Sequence, residues 1–152
     1  MNAAKTTDAG LLLLRIGLGL VMLYFGSQKL LGAFGGRGLE ATIQGMVEKQ
    51  GIPQLFAYFA VAGEFFGGLG LLVGLLSRVA AFGVGCTMAV ASFINLRHPD
   101  TLPAFAAGNG SQVAKFGFPF VLCCMAVALL LIGPGRWSLD ARFLGQKGRR
   151  KA

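Results

Sequence analysis

Apolar residues gather along this chain in four long runs, Leu11–Leu31, Ile52–Leu76, Val79–Leu96 and Phe116–Ile132. Of the charged residues, Arg15, Lys29 and Glu64 alone fall inside a run. A helix rises about 1.5 Å per residue and a hydrocarbon core is about 30 Å thick, so roughly 20 residues span it. The first two runs reach that length and the last two approach it. Buried helices of a soluble bundle would need polar faces, and these runs have almost none. The pattern predicts an all-α membrane protein: an antiparallel bundle of four transmembrane helices at about 11–31, 52–76, 79–96 and 116–132, forming a single domain over 1–152.

The intervening stretches fit that reading. After Gly35, Gly36 and Gly38, the apolar Leu39, Ile43, Met46 and Val47 recur with helical spacing, while Glu40, Gln44, Glu48 and Lys49 fill the other side. This predicts a short amphipathic helix lying on the membrane surface. Gly51 and Pro53 mark a turn into the second spanning helix. Ser77–Arg78 leaves room only for a tight antiparallel hairpin. The loop Arg97–Lys115 carries Pro99, Pro103 and an Asn109–Gly110 turn signal, and Gly133–Pro134 ends the last helix. The first run is too long for the apolar core of a signal peptide, contains Arg15 and lacks a small-x-small cleavage pattern, so it is expected to be retained.

The helix faces are legible as well. Gly63, Gly67, Gly70 and Gly74 follow i, i+4, i+7, i+11, one face of a helix. In water each interior glycine costs roughly 1 kcal/mol against alanine. In a bilayer the backbone must bond internally, and a glycine face instead admits a close neighbour. Arg15, Gly19, Met22, Gly26 and Lys29 form a matching stripe on the first helix, expected to receive the glycine side of the second. Ala81, Gly85, Met88, Ser92 and Asn95 form the small or polar stripe of the third.

Composition sharpens the class. The 152 residues are 55% hydrophobic and 13% charged, where soluble domains carry about 25% charged residues. The net charge of +8 does not point to nucleic acid. The cations are not interleaved with aromatics, and Arg142, Lys147, Arg149, Arg150 and Lys151 crowd a basic tail over 135–152. Such a tail is a topology determinant drawn to anionic lipid. With four spans, eight cations share a side with both termini and five lie opposite, counting Lys29 there. That bias places both termini in the cytoplasm. Cys86, Cys123 and Cys124 all lie within apolar helices without a CxxC spacing, as packing residues do. With one histidine in the chain, no metal site is expected.

RIGLGLVMLYFGSQKLLGAFGG in the first helix and its exit, GEFFGGLGLLVGLLSRVAA in the hairpin and GPGRWSLD after the fourth helix resemble the DoxX family of small bacterial inner-membrane proteins over nearly the full length. Relatives often place a histidine between the tyrosine and glycine of the first motif; this chain has Phe25, and that histidine's role is not carried over. The resemblance implies a four-helix membrane bundle and, for some relatives, association with redox systems such as a thiosulfate:quinone oxidoreductase.

Glu64 is the leading candidate for function, because a charge at the bilayer centre costs about 2.5–3.5 kcal/mol even on lenient scales. Measured from the middle of the first helix, Arg15 and Lys29 are offset by about 9 and 12 Å. Depth favours Arg15 as its partner. Side chains, however, lean toward the helix N-terminus, which brings Lys29 and Glu64 toward each other and turns Arg15 away. The expectation is an outer-half pocket built from Glu64, Lys29, Gln28, Tyr24 and Asn95, with His98 secondary and Arg15 a secondary or purely interfacial cation. Such a pocket suits a quinone headgroup or another amphipathic small molecule. Neither a haem-ligand pair nor a flavin fingerprint occurs, so no covalently bound cofactor is expected and electrons would come from a partner oxidoreductase. The alternatives are a structural or assembly subunit, alone or as a homo-oligomer, and a small proton-coupled transporter. The transporter reading lacks an inverted repeat.

Overall fold

The structure, a computed structural model, describes residues 3–99, 101–108 and 110–143. It contains helices α1 (Ala3–Leu30), α2 (Gly38–Gln50), α3 (Gln54–Val73), α4 (Ser77–Arg97), α5 (Thr101–Ala106) and α6 (Gly110–Ile132), with one 3-10 turn at Ala33–Gly35 and no strand among the described residues. Four of them, α1, α3, α4 and α6, are long and apolar enough to cross a membrane. The protein is therefore an all-α, multi-pass membrane protein whose outer surface contacts lipid. Lys147, Arg149, Arg150 and Lys151 of the basic tail, and Asn109 of the turn signal, lie outside the described residues.

The four long helices pack in the order α1, α3, α4, α6, and a smaller contact between α1 and α6 closes the ring. Neighbours run antiparallel. Gly26 meets Phe65 while Gly19 meets Leu72, Gly63 meets Thr87 while Gly67 meets Val84, and Gly85 meets Ala126 while Gly133 meets Arg78. Leu18, Met22, Leu71, Val84, Met88, Leu122, Ala126 and Leu129 interlock at the centre.

The glycine file faces a different helix from the one expected. Gly63, Gly67 and Gly70 look at α4, where side chains added to them would meet Thr87, Val84 and Ala80. The surface of α3 that meets α1 is instead centred on Gly68, where an added Cβ would lie 2.6 Å from the Leu23 nitrogen. The expected stripe on α1 does face α3. A Cβ on Gly26 would stand 2.6 Å from the Phe65 nitrogen and 2.7 Å from its Cα. Thus α3 carries glycine on two faces, one for each neighbour, and periodicity alone picked out the longer file. The small stripe of α4 serves α6: Ala81 and Met88 are buried there, and Gly85 approaches the Ala126 Cβ.

The hairpin joint also lies elsewhere in the sequence. Helix α3 stops at Val73 and α4 starts at Ser77, so Gly74–Leu76 is the connection rather than Ser77–Arg78. Gly74 adopts φ 74° and donates its N–H to the Gly70 carbonyl, the left-handed ending that glycine permits without strain. Leu76 follows at φ 49°. A left-handed β-carbon residue costs of order 1–3 kcal/mol and persists where its surroundings hold it. Asp140, far along the chain, supplies the hold: its two carboxylate oxygens accept from Leu76 N at 2.7 Å and Ser77 N at 2.8 Å, while its own N–H donates to the Gly74 carbonyl at 2.9 Å. Asp140 thereby caps α4 from outside and places negative charge at its positive end.

Elsewhere the bounds shift with local chemistry. Helix α1 already runs from Ala3, and α6 begins at Gly110, so the expected loop 97–115 holds α5 and the start of α6. Helix α2 forms where the amphipathic pattern predicts. It does not merely rest on a surface, because Ile43 is buried with Ala57 and Val61 of α3, flanked by Leu30, Leu39, Met46 and Ile52. Its apolar face thus docks on the end of the bundle where α1 finishes and α3 starts.

Candidate functional site

Beneath α2, a cavity of about 820 Å³ lies between the end of α1, the turn after it, and one face each of α3 and α4. Helix α3 contributes Phe56, Phe59, Ala60 and Glu64, and α4 contributes Gly83, Cys86, Thr87, Val90, Ala91, Ile94 and Asn95. Both sets recur every three or four residues, so each is a single helical face. Gln28 and Lys29 enter from the last turn of α1. The lining is mostly apolar with a few polar groups, the make-up of sites for amphipathic small molecules.

The chemical centre of this wall is Lys29 with Glu64. Lys29 Nζ donates to Glu64 Oε1 at 2.6 Å and lies 2.6 Å from Oε2 as well. Geometry allows a directed hydrogen bond to Oε1, whereas Oε2 receives none and is shielded from solvent. Glu64 is 2% exposed and the Lys29 side chain 30%. The carboxylate is thus the inner member of the pair and the ammonium the outer. The sequence explains the meeting. Gly26, one turn before Lys29, lets α1 lie against the backbone of Glu64 and Phe65, and the opposed leans of the two antiparallel helices then close the remaining distance. A buried ion pair is a weak source of stability, yet removing one member typically costs about 3–5 kcal/mol because the other is left uncompensated.

The remaining expected residues divide. Gln28 and Asn95 line the cavity with the pair; Asn95 Nδ2 donates to the Ala91 carbonyl at 2.8 Å, which fixes the amide. Tyr24 does not line it. Its ring, one helical turn from Gln28 on the same face of α1, packs on Phe25 and Phe34 at centroid distances of 5.4 and 5.2 Å. Phe25 packs edge-on against Phe118 of α6 at 5.7 Å. His98 follows the end of α4 and is not among the cavity residues either.

Arg15 is not part of this site. It is 2% exposed, with Nη1 donating to the Pro134 carbonyl at 2.9 Å and Nη2 to the Trp137 carbonyl at 3.1 Å. Its guanidinium also lies against Gly74, where an added Cβ would come within 2.9 Å of it. At the same end, Asp8 accepts from Arg136 N at 3.0 Å. Ser138 donates to the Gly135 carbonyl and accepts from Ala141 N. The GPGRWSLD segment is therefore a clasp that joins α1, the hairpin joint and the end of α6, opposite the cavity. In the sequence this segment stands out as a helix stop and as part of the family resemblance, but the distant groups its residues bond cannot be read there.

The sequence reading missed Cys86, Thr87 and Gly83, whose signals were faint. Thr87 looks like any helical threonine and donates to the Gly83 carbonyl at 3.0 Å. Cys86 is a free, exposed thiol, while Cys123 is half-buried with its thiol directed at the Gly85 carbonyl. Among the described residues, no three His, Cys, Asp or Glu side chains gather as a metal ion would require.

The DoxX family model matches residues 10–97, the part of the chain that contains every residue lining the cavity. No curated protein and no solved structure matches the chain.

Proposed function

The chain belongs to the DoxX family, and from that premise we propose that this membrane protein is a redox-associated subunit binding a quinone-like or other amphipathic small molecule beside Lys29 and Glu64. The observation that carries the reading is the pairing of these two charges, 2.6 Å apart, in the wall of a cavity whose surface is mostly apolar. Merely structural charges can pair equally well in a packed interface. A pair bordering about 820 Å³ of space is accessible to a guest. Lys29 can donate to a quinone oxygen, with Gln28 and Asn95 within the same lining. Phe56, Phe59, Val90 and Ile94 can hold an apolar body. Quinone reduction consumes two electrons and two protons. The electrons would come from a partner oxidoreductase, and the Lys29–Glu64 pair is the group in the wall suited to passing a proton. The setting we propose is a bacterial inner membrane with both termini cytoplasmic, which puts the cavity in the outer half.

The test is thermal unfolding of the purified protein in detergent with and without decylubiquinone, a fully substituted quinone that does not add to thiols. We expect a quinone-dependent rise in Tm for the wild type. Glu64→Gln and Lys29→Met should abolish the rise while the helical circular dichroism is retained. No rise in the wild type, or an equal rise in Glu64→Gln, would remove the reading.

A further inference from the structure

The lining of the cavity is unevenly charged. Lys29, Arg37 and Lys49 stand in it against one carboxylate, Glu64, which Lys29 already engages. Arg37, at the N-cap of α2, and Lys49, in its last turn, border the cavity at the two ends of this helix, with Ala41 and Gly45 in the lining between them. The two cations are roughly 18 Å apart along the helix axis. The acidic residues of α2, Glu40 and Glu48, do not line the cavity, and Glu48 accepts from Gln44 Nε2 at 2.9 Å.

Below α2 the walls are apolar and roomy. A Cβ added to Gly45 or Gly83 would meet no heavy atom within 4 Å. Phe56, Phe59 and Val90 are more than half exposed on the same flank, at 63%, 64% and 51%. In a bilayer, that flank is where an apolar body enters from lipid.

We infer that the cavity selects an anionic amphiphile, drawn by the combined field of Arg37 and Lys49 at its rim and holding its apolar body along Phe56, Phe59, Val90 and Ile94. This inference rests on the proposed ligand-binding role of the cavity and narrows its ligand class. Two sources share the chemistry: an anionic lipid of the surrounding leaflet, and a diffusing quinone-type molecule ionised at neutral pH. For either, Arg37 and Lys49 supply the preference for charge, whereas the Lys29–Glu64 pair is internally neutral and contributes hydrogen bonding.

The experiment uses the full-length protein in phosphatidylcholine nanodiscs. Two ligands are compared, a 2-hydroxy-3-alkyl-1,4-naphthoquinone, anionic at neutral pH, and its neutral O-methyl ether. In the wild type, the anion should bind about tenfold tighter than the ether, corresponding to about 1.4 kcal/mol. Arg37→Gln with Lys49→Gln should bring the ratio to near one while leaving the ether's affinity unchanged. Gly83→Leu should displace both ligands without lowering Tm. Repeating the titration in discs containing phosphatidylglycerol separates the sources. A weakened anion means that lipid headgroups occupy the site, and an unchanged one means that the free amphiphile does; both agree with the inference. Equal affinities in the wild type, or a preference that survives the double substitution, overturn it and leave the ligand-binding role standing. Failure of both ligands to bind removes that role itself.

Discussion

Replacing Gly26 by alanine adds one methyl group where α1 crosses α3, and the structure specifies the consequence. The new Cβ would sit 2.6 Å from the Phe65 nitrogen, 2.7 Å from its Cα and 3.0 Å from the Glu64 carbonyl carbon. All three are backbone atoms, so no rotamer change can clear them. Reaching ordinary contact, which begins near 3.4 Å, requires the helices to separate by about 0.8 Å at that point, with loss of packing along their interface. Overpacking of this kind costs about 1–3 kcal/mol. Gly→Ala also favours a helix intrinsically by up to about 1 kcal/mol, and Gly83→Ala provides the control, because its Cβ would meet nothing within 4 Å. Reversible unfolding by sodium dodecyl sulfate in mixed micelles measures both variants on one scale. Gly26→Ala should fall about 1–3 kcal/mol below Gly83→Ala. Because the pushed backbone includes Glu64, it should also weaken decylubiquinone-dependent stabilisation. Equal stability of the two variants would show that α1 and α3 are not in backbone contact, and the geometric origin given for the Lys29–Glu64 pair would go with it.

Two further outcomes follow from the clasp and from the charge distribution. Asp140→Ala removes the carboxylate that caps α4 and holds Leu76. It should cost about 0.5–2 kcal/mol and speed amide exchange at Leu76 and Ser77 while ligand binding at the distant cavity is unchanged; unaltered exchange there would contradict the capping role. In a variant lacking the native cysteines, Gly38→Cys and Gly108→Cys should react with an impermeant maleimide added to intact cells, and Gly148→Cys should not. Labelling at position 148 would reverse the orientation and put the cavity in the inner half.

The four apolar runs, the amphipathic helix and the hairpin were determined by the sequence itself. A bilayer solvent forces backbone groups to bond within each segment, so length and hydropathy suffice to define the spans. The meeting of Lys29 with Glu64 was also within reach, because antiparallel connectivity and the lean of helical side chains are local properties. Pairing of faces was not. Helix α3 has glycine on two sides, and only the packed bundle assigns Gly68 to α1 and the file Gly63, Gly67 and Gly70 to α4. Nor could the chain alone reveal that Arg15 bonds the segment after α6 or that Asp140 bonds the hairpin joint, since their partners are backbone groups, which every residue type possesses alike. The cavity is likewise a tertiary property. It exists because α2 covers faces of α3 and α4 that do not meet beneath it, and empty space has no residue of its own to announce it.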